Sequence, residues 1–372
     1  MYIRALGSFS KVFLLIIISI STCLNANELA ESGLAKQLTE QEKLERFQLT
    51  VNDQAVPVDL KIQQPVRIAI IYPSADISDF WVRNYTAMTE RLMELKLPFV
   101  IDQYSSRQIE HALQTQHTRA VLSSEKAYDF VIFGPSELAL QSVNIQKLAA
   151  SEQFKTFIWA FHTPNPRWEH QPDAWFDFSS AMGAEVLCHY VIERLGDNIE
   201  FAANRGIPGI TDTQRSQGFI DCVEKKADWL NMYEHFGQYQ KLGGSDGVKL
   251  FLSNFPEVKM VHNANTAMTI GALDTLVEES KLSDIFVTGW GGTAKEIEKI
   301  KMGELGATPM RMSDDLGVAT AESIKFHIQK RESDIPHTYL GRIVVVHDKM
   351  THEELDAFTK EAFRYSGIKQ DE

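Results

Sequence analysis

Three cysteines in 372 residues are too few for a disulfide scaffold, and Cys23, Cys188 and Cys222 lack the spacing of a zinc site. A long basic run is missing as well. With 37 basic against 50 acidic side chains, the formal charge is −13, which argues against a nucleic-acid partner. No apolar run reaches the roughly 20 residues that span a bilayer, so a polytopic membrane protein is excluded. Catalytic signatures are absent too: no G-x-S-x-G elbow, no H-E-x-x-H and no Walker A, and the eleven histidines are scattered. Neither a catalytic residue nor a metal site is expected. What is present is ordinary globular composition, 44% hydrophobic and 23% charged, over a length that suits two domains.

Residues 1–26 read as a targeting segment rather than fold. Arg4 and Lys11 form a positive n-region, Val12 to Ile20 is an apolar run, and a polar, small-residue stretch ends near Ala26. That run suits a secretory signal and an oxidising compartment, the periplasm. A retained anchor and a lipobox-like reading of Ile20-Ser21-Thr22-Cys23 are the alternatives. Cleavage would remove Arg4 and Lys11 and take the charge from −13 to −15. Cys188 and Cys222 each fall in an amphipathic helical stretch. They read as inert core thiols, since a disulfide needs adjoining helices.

After a polar extension (27–65), packed on the outside or partly mobile, strand-length β-branched runs alternate with helical-period stretches. The runs are Val66–Tyr72, Pro98–Gln103, Phe130–Gly134, Thr156–Phe161, Ile199–Ala203, Met232–Phe236, Lys259–Asn263, Ile285–Gly289 and Thr308–Met312. Near-continuous apolar strands between amphipathic helices mean parallel sheets covered on both faces, hence an α/β chain. A break at Thr163-Pro164-Asn165-Pro166 separates four strands from five. The expectation is two doubly wound lobes with hinge crossovers and a cleft between the carboxyl ends of their strands. Lobe 1 is assigned to 66–162 plus 314–335, and lobe 2 to 163–313 plus 336–350. A C-terminal helix and tail (351–372) complete the chain.

Several residues suggest a binding cleft. Gly289-Trp290-Gly291-Gly292-Thr293-Ala294 matches a dinucleotide fingerprint, but a bulky Trp290 stands in its tight turn. The better reading is a glycine-rich strand end that projects Trp290 as an apolar wall. Phe80 and Trp81, after the first strand, suit a ring-stacking clamp opposite it, apt for a sugar-like ring. Arg215 opens a helix and Arg311 sits in an apolar strand, where an unpartnered charge is costly. Either is explained by a structural salt bridge or by guanidinium forks that converge on hydroxyls or an anion. Asp314 and Asp315 read first as helix-start capping residues, and His162 as a hinge or rim residue.

The segments 66–84 (VRIAIIYPSADISDFWVRN), 265–276 (NTAMTIGALDTL), 288–292 (TGWGG), 310–317 (MRMSDDLG) and 362–366 (AFRYS) carry a resemblance. The second resembles the helix-opening signature of periplasmic sugar-binding proteins and their repressor relatives. Together they are similar to the LuxP-like autoinducer-2 receptors, from about Pro57 to Ser366. The resemblance implies a type I periplasmic binding protein clamshell that closes on a small furanosyl ligand, bound with borate in one member. It also implies a membrane sensor kinase of the LuxQ type as partner. Its binding positions fall on Ser78, Trp81, Arg215, Thr266, Trp290 and Arg311. Two positions depart: Asp76 stands where the family has glutamine, and Ala160 where it has asparagine. An acid near two arginines points to a neutral, polyhydroxylated ligand without borate. The rival reading is the solute-binding subunit of a sugar importer, with an ABC permease as partner. A repressor would need a helix-turn-helix where the signal segment stands.

Overall fold

A strand buried on both faces belongs in the middle of a sheet covered by helices, and β1 (Val66–Pro73) is one. Val66, Ile68, Ile70 and Tyr72 pack into one apolar cluster, while Ala69 and Ile71 pack into another on the opposite face. A computed structural model describes residues 38–74, 80–107, 110–160 and 165–367, the side chains of Leu138 and Ala160 excepted. The chain divides into two compact units, 1–42 and 43–372. In the first, the described residues 38–42 form a helix start in which Glu42 N donates to Thr39 Oγ1 (3.2 Å). All that follows concerns the second.

Helix α1 (Glu40–Asn52) precedes the first sheet, and its Phe47 and Val51 are buried in that sheet's core. The extension is therefore docked over this stretch. Next come α2 (Phe80–Glu94), β2 (Phe99–Ser106), α3 (His111–Leu122), β3 (Phe130–Phe133), α4 (Leu138–Ala149), β4 (Lys155–Ala160) and β5 (Ala174–Asp177). The second sheet's elements are α5 (Ser180–Leu195), β6 (Glu200–Arg205), α6 (Gly218–Ala227), β7 (Leu230–Phe236), α7 (Lys241–Asn254), β8 (Met260–Asn263), α8 (Thr266–Glu278), β9 (Phe286–Thr288), α9 (Ala294–Lys301) and β10 (Ala307–Arg311). The chain closes with α10 (Asp315–Ile328), β11 (Thr338–Leu340), β12 (Ile343–His347) and α11 (His352–Ala362).

Strand order repeats. The first sheet runs β2-β1-β3-β4-β5-β11 and the second β7-β6-β8-β9-β10-β12, parallel except for the antiparallel β10–β12 edge. Each is the doubly wound order in which a crevice opens outside the strands' carboxyl ends. The expected two-lobed α/β architecture is thus the observed one. No helix among the described residues is long and apolar enough to cross a membrane.

Sheet membership departs from the expected division in two places. Ala174–Asp177 is a strand of the first sheet, so the first passage between sheets follows Asp177 rather than the prolines at 163–166. The stretch 336–350, assigned whole to lobe 2, holds two strands split between the sheets at Gly341, with β11 in the first and β12 in the second. Both departures share a cause. Gly341 N donates to the Asp177 carbonyl (2.8 Å), which holds the third passage against the first.

Cys188 and Cys222 are not inert thiols; they form a disulfide. Helices α5 and α6 adjoin through Leu187, Val191, Phe219 and Val223, which brings the two Cα atoms to 6.2 Å. Sequence period alone cannot report that adjacency. The bridge closes a loop of sequence separation 34, for which chain entropy gives about 3–4 kcal/mol. Cys188→Ala with Cys222→Ala is expected to lower unfolding free energy by about that amount in denaturant titration. Reductant should reproduce the loss in the wild type and leave the double variant unmoved.

Candidate functional site

Every described candidate residue stands at or just beyond a strand's carboxyl end. Arg215 lies in a single π-helical turn, Thr213–Gln217, between β6 and α6. Such turns cluster at functional sites. Burial pushes the guanidinium below its ordinary pKa, while Tyr239, Asp177 and Glu296 act the other way. Its Nε donates to Ser180 Oγ (3.2 Å) and Nη1 to the Ala264 carbonyl (3.4 Å), and it lies 5.4 Å from the Trp290 ring. Beneath it, His262 stacks on Phe219 with ring centroids 4.4 Å apart. Burial depresses the His262 pKa to about 4, so the imidazole is neutral. Nε2 donates to the Arg215 carbonyl (3.2 Å) and Nδ1 accepts from Thr288 Oγ1 (3.0 Å), which fixes the turn from below.

The glycine-rich strand end is built around one buried carboxylate. Glu296 accepts from Trp290 N (3.0 Å), Gly292 N (2.8 Å), Thr293 N (3.3 Å) and Thr308 Oγ1 (3.2 Å). It also completes a capping box with Thr293 at the start of α9. Those amides are the donors a pyrophosphate would need, so the dinucleotide reading fails on physical grounds. Gly292 sits at φ +63°, and a Cβ there would run into Met310 at 2.3 Å. The Trp290 ring is 3% exposed, lies over Gly183, and meets His262 edge-on at 6.3 Å.

Thr266 opens α8 and donates to the Trp290 carbonyl (3.4 Å). A Cβ on Gly291 would stand 3.2 Å from Arg311 Nη2 and 3.7 Å from Thr266 Oγ1, so those two groups flank the same backbone. Arg311 reaches across to the first lobe, 4.8 Å from the Phe80 ring and 6.0 Å from Phe178. Trp81 is buried at 3% exposure, edge-on to Phe80 (5.2 Å) and against Gly134 at the end of β3.

Arg215, Thr266, Trp290 and Arg311 are therefore gathered in the second lobe, with Phe80 facing Arg311 from the first and Trp81 packed behind Phe80. Asp76, Ser78 and His162 lie outside the described residues. Ala160 ends β4, in register with Asp177. Asp314 and Asp315 serve another purpose than capping. Asp314 Oδ2 accepts from Tyr365 N (2.7 Å) and Ser366 N (2.8 Å), and Asp315 pairs with Arg364 (2.8 Å). They anchor the C-terminal tail.

Sequence reasoning missed Asp177. Its buried carboxyl lies in the field of both Arg215 and Arg311. The available signal was an acid ending the apolar run Ala174-Trp175-Phe176, directly before the Ser179 cap of α5.

Residues 68–332 match the model of the periplasmic binding protein domain. The chain belongs to that family. The ribose import binding protein RbsB of Bacillus subtilis (strain 168) is 25% identical over 142 residues, 38% of this chain and 45% of the relative. The match thus spans about half the length of that relative. Among solved structures, a solute binding protein from Actinobacillus succinogenes with bound D-allose aligns at TM-score 0.68 and 17% identity. It covers 79% of this chain and all of the other. A fructose binding periplasmic domain of a hybrid two component system aligns at TM-score 0.68 and 14% identity, covering 79% and 94%. At such identities the likeness shows the periplasmic binding protein fold alone.

The Glu296 cluster yields a test. Glu296→Ala would orphan the buried Trp290 amide, take the better acceptor from Gly292 N, which keeps only Thr308 Oγ1 (3.4 Å), and remove the capping box. An unsatisfied buried amide alone costs about 1–3 kcal/mol. A loss of at least that much in denaturant titration is expected, with a shift in Trp290 fluorescence; Glu296→Gln should lose less.

Proposed function

We propose that this periplasmic binding protein holds a small, polyhydroxylated, sugar-like ligand between its lobes and hands it to an ABC permease. One observation carries the reading: two guanidinium groups, a hydroxyl and buried aromatic rings converge at the carboxyl ends of strands from both sheets. Planar guanidinium forks suit vicinal hydroxyls, and aromatic faces suit the C–H faces of a sugar ring. The B. subtilis ribose import binding protein and the D-allose-bound structure support a sugar as the ligand class. The targeting-type segment 1–26 supports a periplasmic location. The reading is binding without turnover, with closure favoured by the ligand's differential affinity for the closed state.

A second reading is favoured by the co-location of Arg215, Thr266, Trp290 and Arg311, the positions onto which the autoinducer-2 receptor resemblance falls. On it, the ligand is autoinducer-2 or a relative, free of borate, and the partner is a LuxQ-type sensor kinase. The fructose binding domain of a two component system is a precedent for this fold in signalling. Capture by candidate membrane partners, with ligand and without, separates the two.

Calorimetry with D-ribose, D-allose, D-fructose and autoinducer-2, each with and without borate, tests the ligand class. Arg311→Ala is expected to weaken whichever probe binds by about 1.5–3 kcal/mol, the worth of a hydrogen bond to a charged group. Unchanged affinity would remove Arg311 from the site.

A further inference from the structure

Asp177 is the last residue of β5, at the same carboxyl-end level as the groups above. It also starts the first passage between the lobes, its carbonyl held by Gly341 N (2.8 Å). The side chain is 4% exposed, and its Oδ1 has no hydrogen-bond partner among the described residues. The charged groups that face it are Arg215, from the turn after β6, and Arg311, from the end of β10. Nearby Tyr239, whose phenol feels the Arg215 charge, also has a buried oxygen without a partner among the described residues. Buried polar atoms are ordinarily satisfied. Open acceptors beside two guanidinium groups are what a ligand bearing hydroxyl donors would complete.

We infer that Asp177 sets the charge of the ligand the cleft accepts, receiving a hydroxyl hydrogen from a neutral polyol on Oδ1 and disfavouring an anion. This rests on the sugar-binding reading above and deepens it. Ionised, Asp177 offsets part of the positive field of the two guanidinium groups, and it supplies an acceptor that guanidinium cannot. An anionic ligand, such as a sugar–borate diester, needs the reverse: donors only, and the full positive field. The Asp177 position, not the bulk negative charge of the chain, then carries the selectivity.

Burial pushes the Asp177 pKa up to about 7, with the Phe178 amide, Arg215 and Arg311 acting in the opposite sense. The sign for stability follows. The folded state holds this proton to higher pH than the unfolded chain does, so ligand-free stability falls as pH rises from about 4 through 7.

The test compares wild type with Asp177→Asn, which keeps the shape and removes the charge. Neutral D-ribose, D-allose and D-fructose are titrated alone and with borate, which turns cis-diols into anionic diesters. For a sugar the wild type binds, the variant is expected to bind roughly ten- to a hundred-fold more weakly, as for a lost charged hydrogen bond. It should gain affinity for the same sugar with borate. Thermal melts without ligand check folding: the Tm of Asp177→Asn relative to wild type should rise between pH 5 and 8. Equal affinity of both proteins for the neutral sugar overturns the inference and leaves the sugar-binding reading standing. So does a variant whose Tm is lowered equally at every pH with no gain for the borate complex, since that marks a purely structural carboxyl. Wild type that binds only with borate overturns the neutral-ligand inference, and wild type that binds none of the sugars overturns both readings.

Discussion

Three passages between the lobes are hydrogen-bonded to one another, and the candidate site hangs on that small ladder. Gly341 N meets the Asp177 carbonyl (2.8 Å), and Met312 N meets the Arg342 carbonyl (3.0 Å). Phe178 fills the space beside Gly341, where a Cβ would stand 2.3 Å from its ring. Backbone groups leaving a sheet lose their strand partners, and each unsatisfied one would be costly if buried. Pairing the passages with each other resolves this. It also places Asp177 and Arg311, one from each sheet, beside the passages that join the lobes. Thr266 and Trp290 lie further into the second sheet, at the ends of β8 and β9.

Electrostatics then decide what the cleft can hold. Buried guanidinium groups are tolerable only where donors and charge are met, and the chain meets them in two ways. Away from the cleft, Arg91 is enclosed by Glu322 (2.7 Å), the Asp53 carbonyl (3.0 Å) and Tyr365 (3.0 Å), a closed network with nothing left to offer. In the cleft, Arg215 has a hydroxyl, a carbonyl at 3.4 Å and the Trp290 ring, and the nearby carboxyl keeps one oxygen open. The disulfide serves the same region. Ser180 and Cys188 lie on α5, while Arg215 and Cys222 lie on the turn and helix facing it, so the bridge and the Arg215–Ser180 contact tie the same two segments.

Much of this was legible in advance. The β-branched runs and the glycines after Thr288 marked strand ends, and Arg311 stood out because a cation inside Thr-Pro-Met-Arg-Met demands a reason. Thr293-x-x-Glu296 has the spacing of a capping box, a signal that went unread, and with it went the loss of the amides that a nucleotide would need. Other features are tertiary by nature. Cys188 and Cys222 sit in separate amphipathic helices, and only the packing of Leu187 and Val191 on Phe219 and Val223 reveals that they meet. The four-residue strand ending at Asp177 follows a proline-rich loop and precedes a helix cap, so local pattern assigns it to the connection. Its strand character comes from pairing with β4 and β11.

The C-terminal tail ties the lobes together beside the ladder, where Asp314 N donates to the Ala362 carbonyl (3.0 Å) and Arg342 pairs with Glu361. Helix α11 buries Leu355 and Ala362 in the second lobe's core, yet the residues after it bind the first lobe. Arg83 of α2 donates to the Ser366 carbonyl (2.9 Å) and lies over Phe363, while Arg364 reaches the Val51 carbonyl (3.0 Å) on α1. Asp314 and Asp315, at the second passage, hold the same tail. The tail therefore acts as a fourth strap between lobes: the buried Asp314 and Asp315 hold it, Phe363 is buried in the second lobe's core and Tyr365 packs against the first lobe's. Breaking the bonds to those acids would leave a buried carboxylate unpaired, which is costly, so the strap is a firm one. On the sugar-binding reading proposed above, a ligand decides between open and closed only by its differential affinity for the two states.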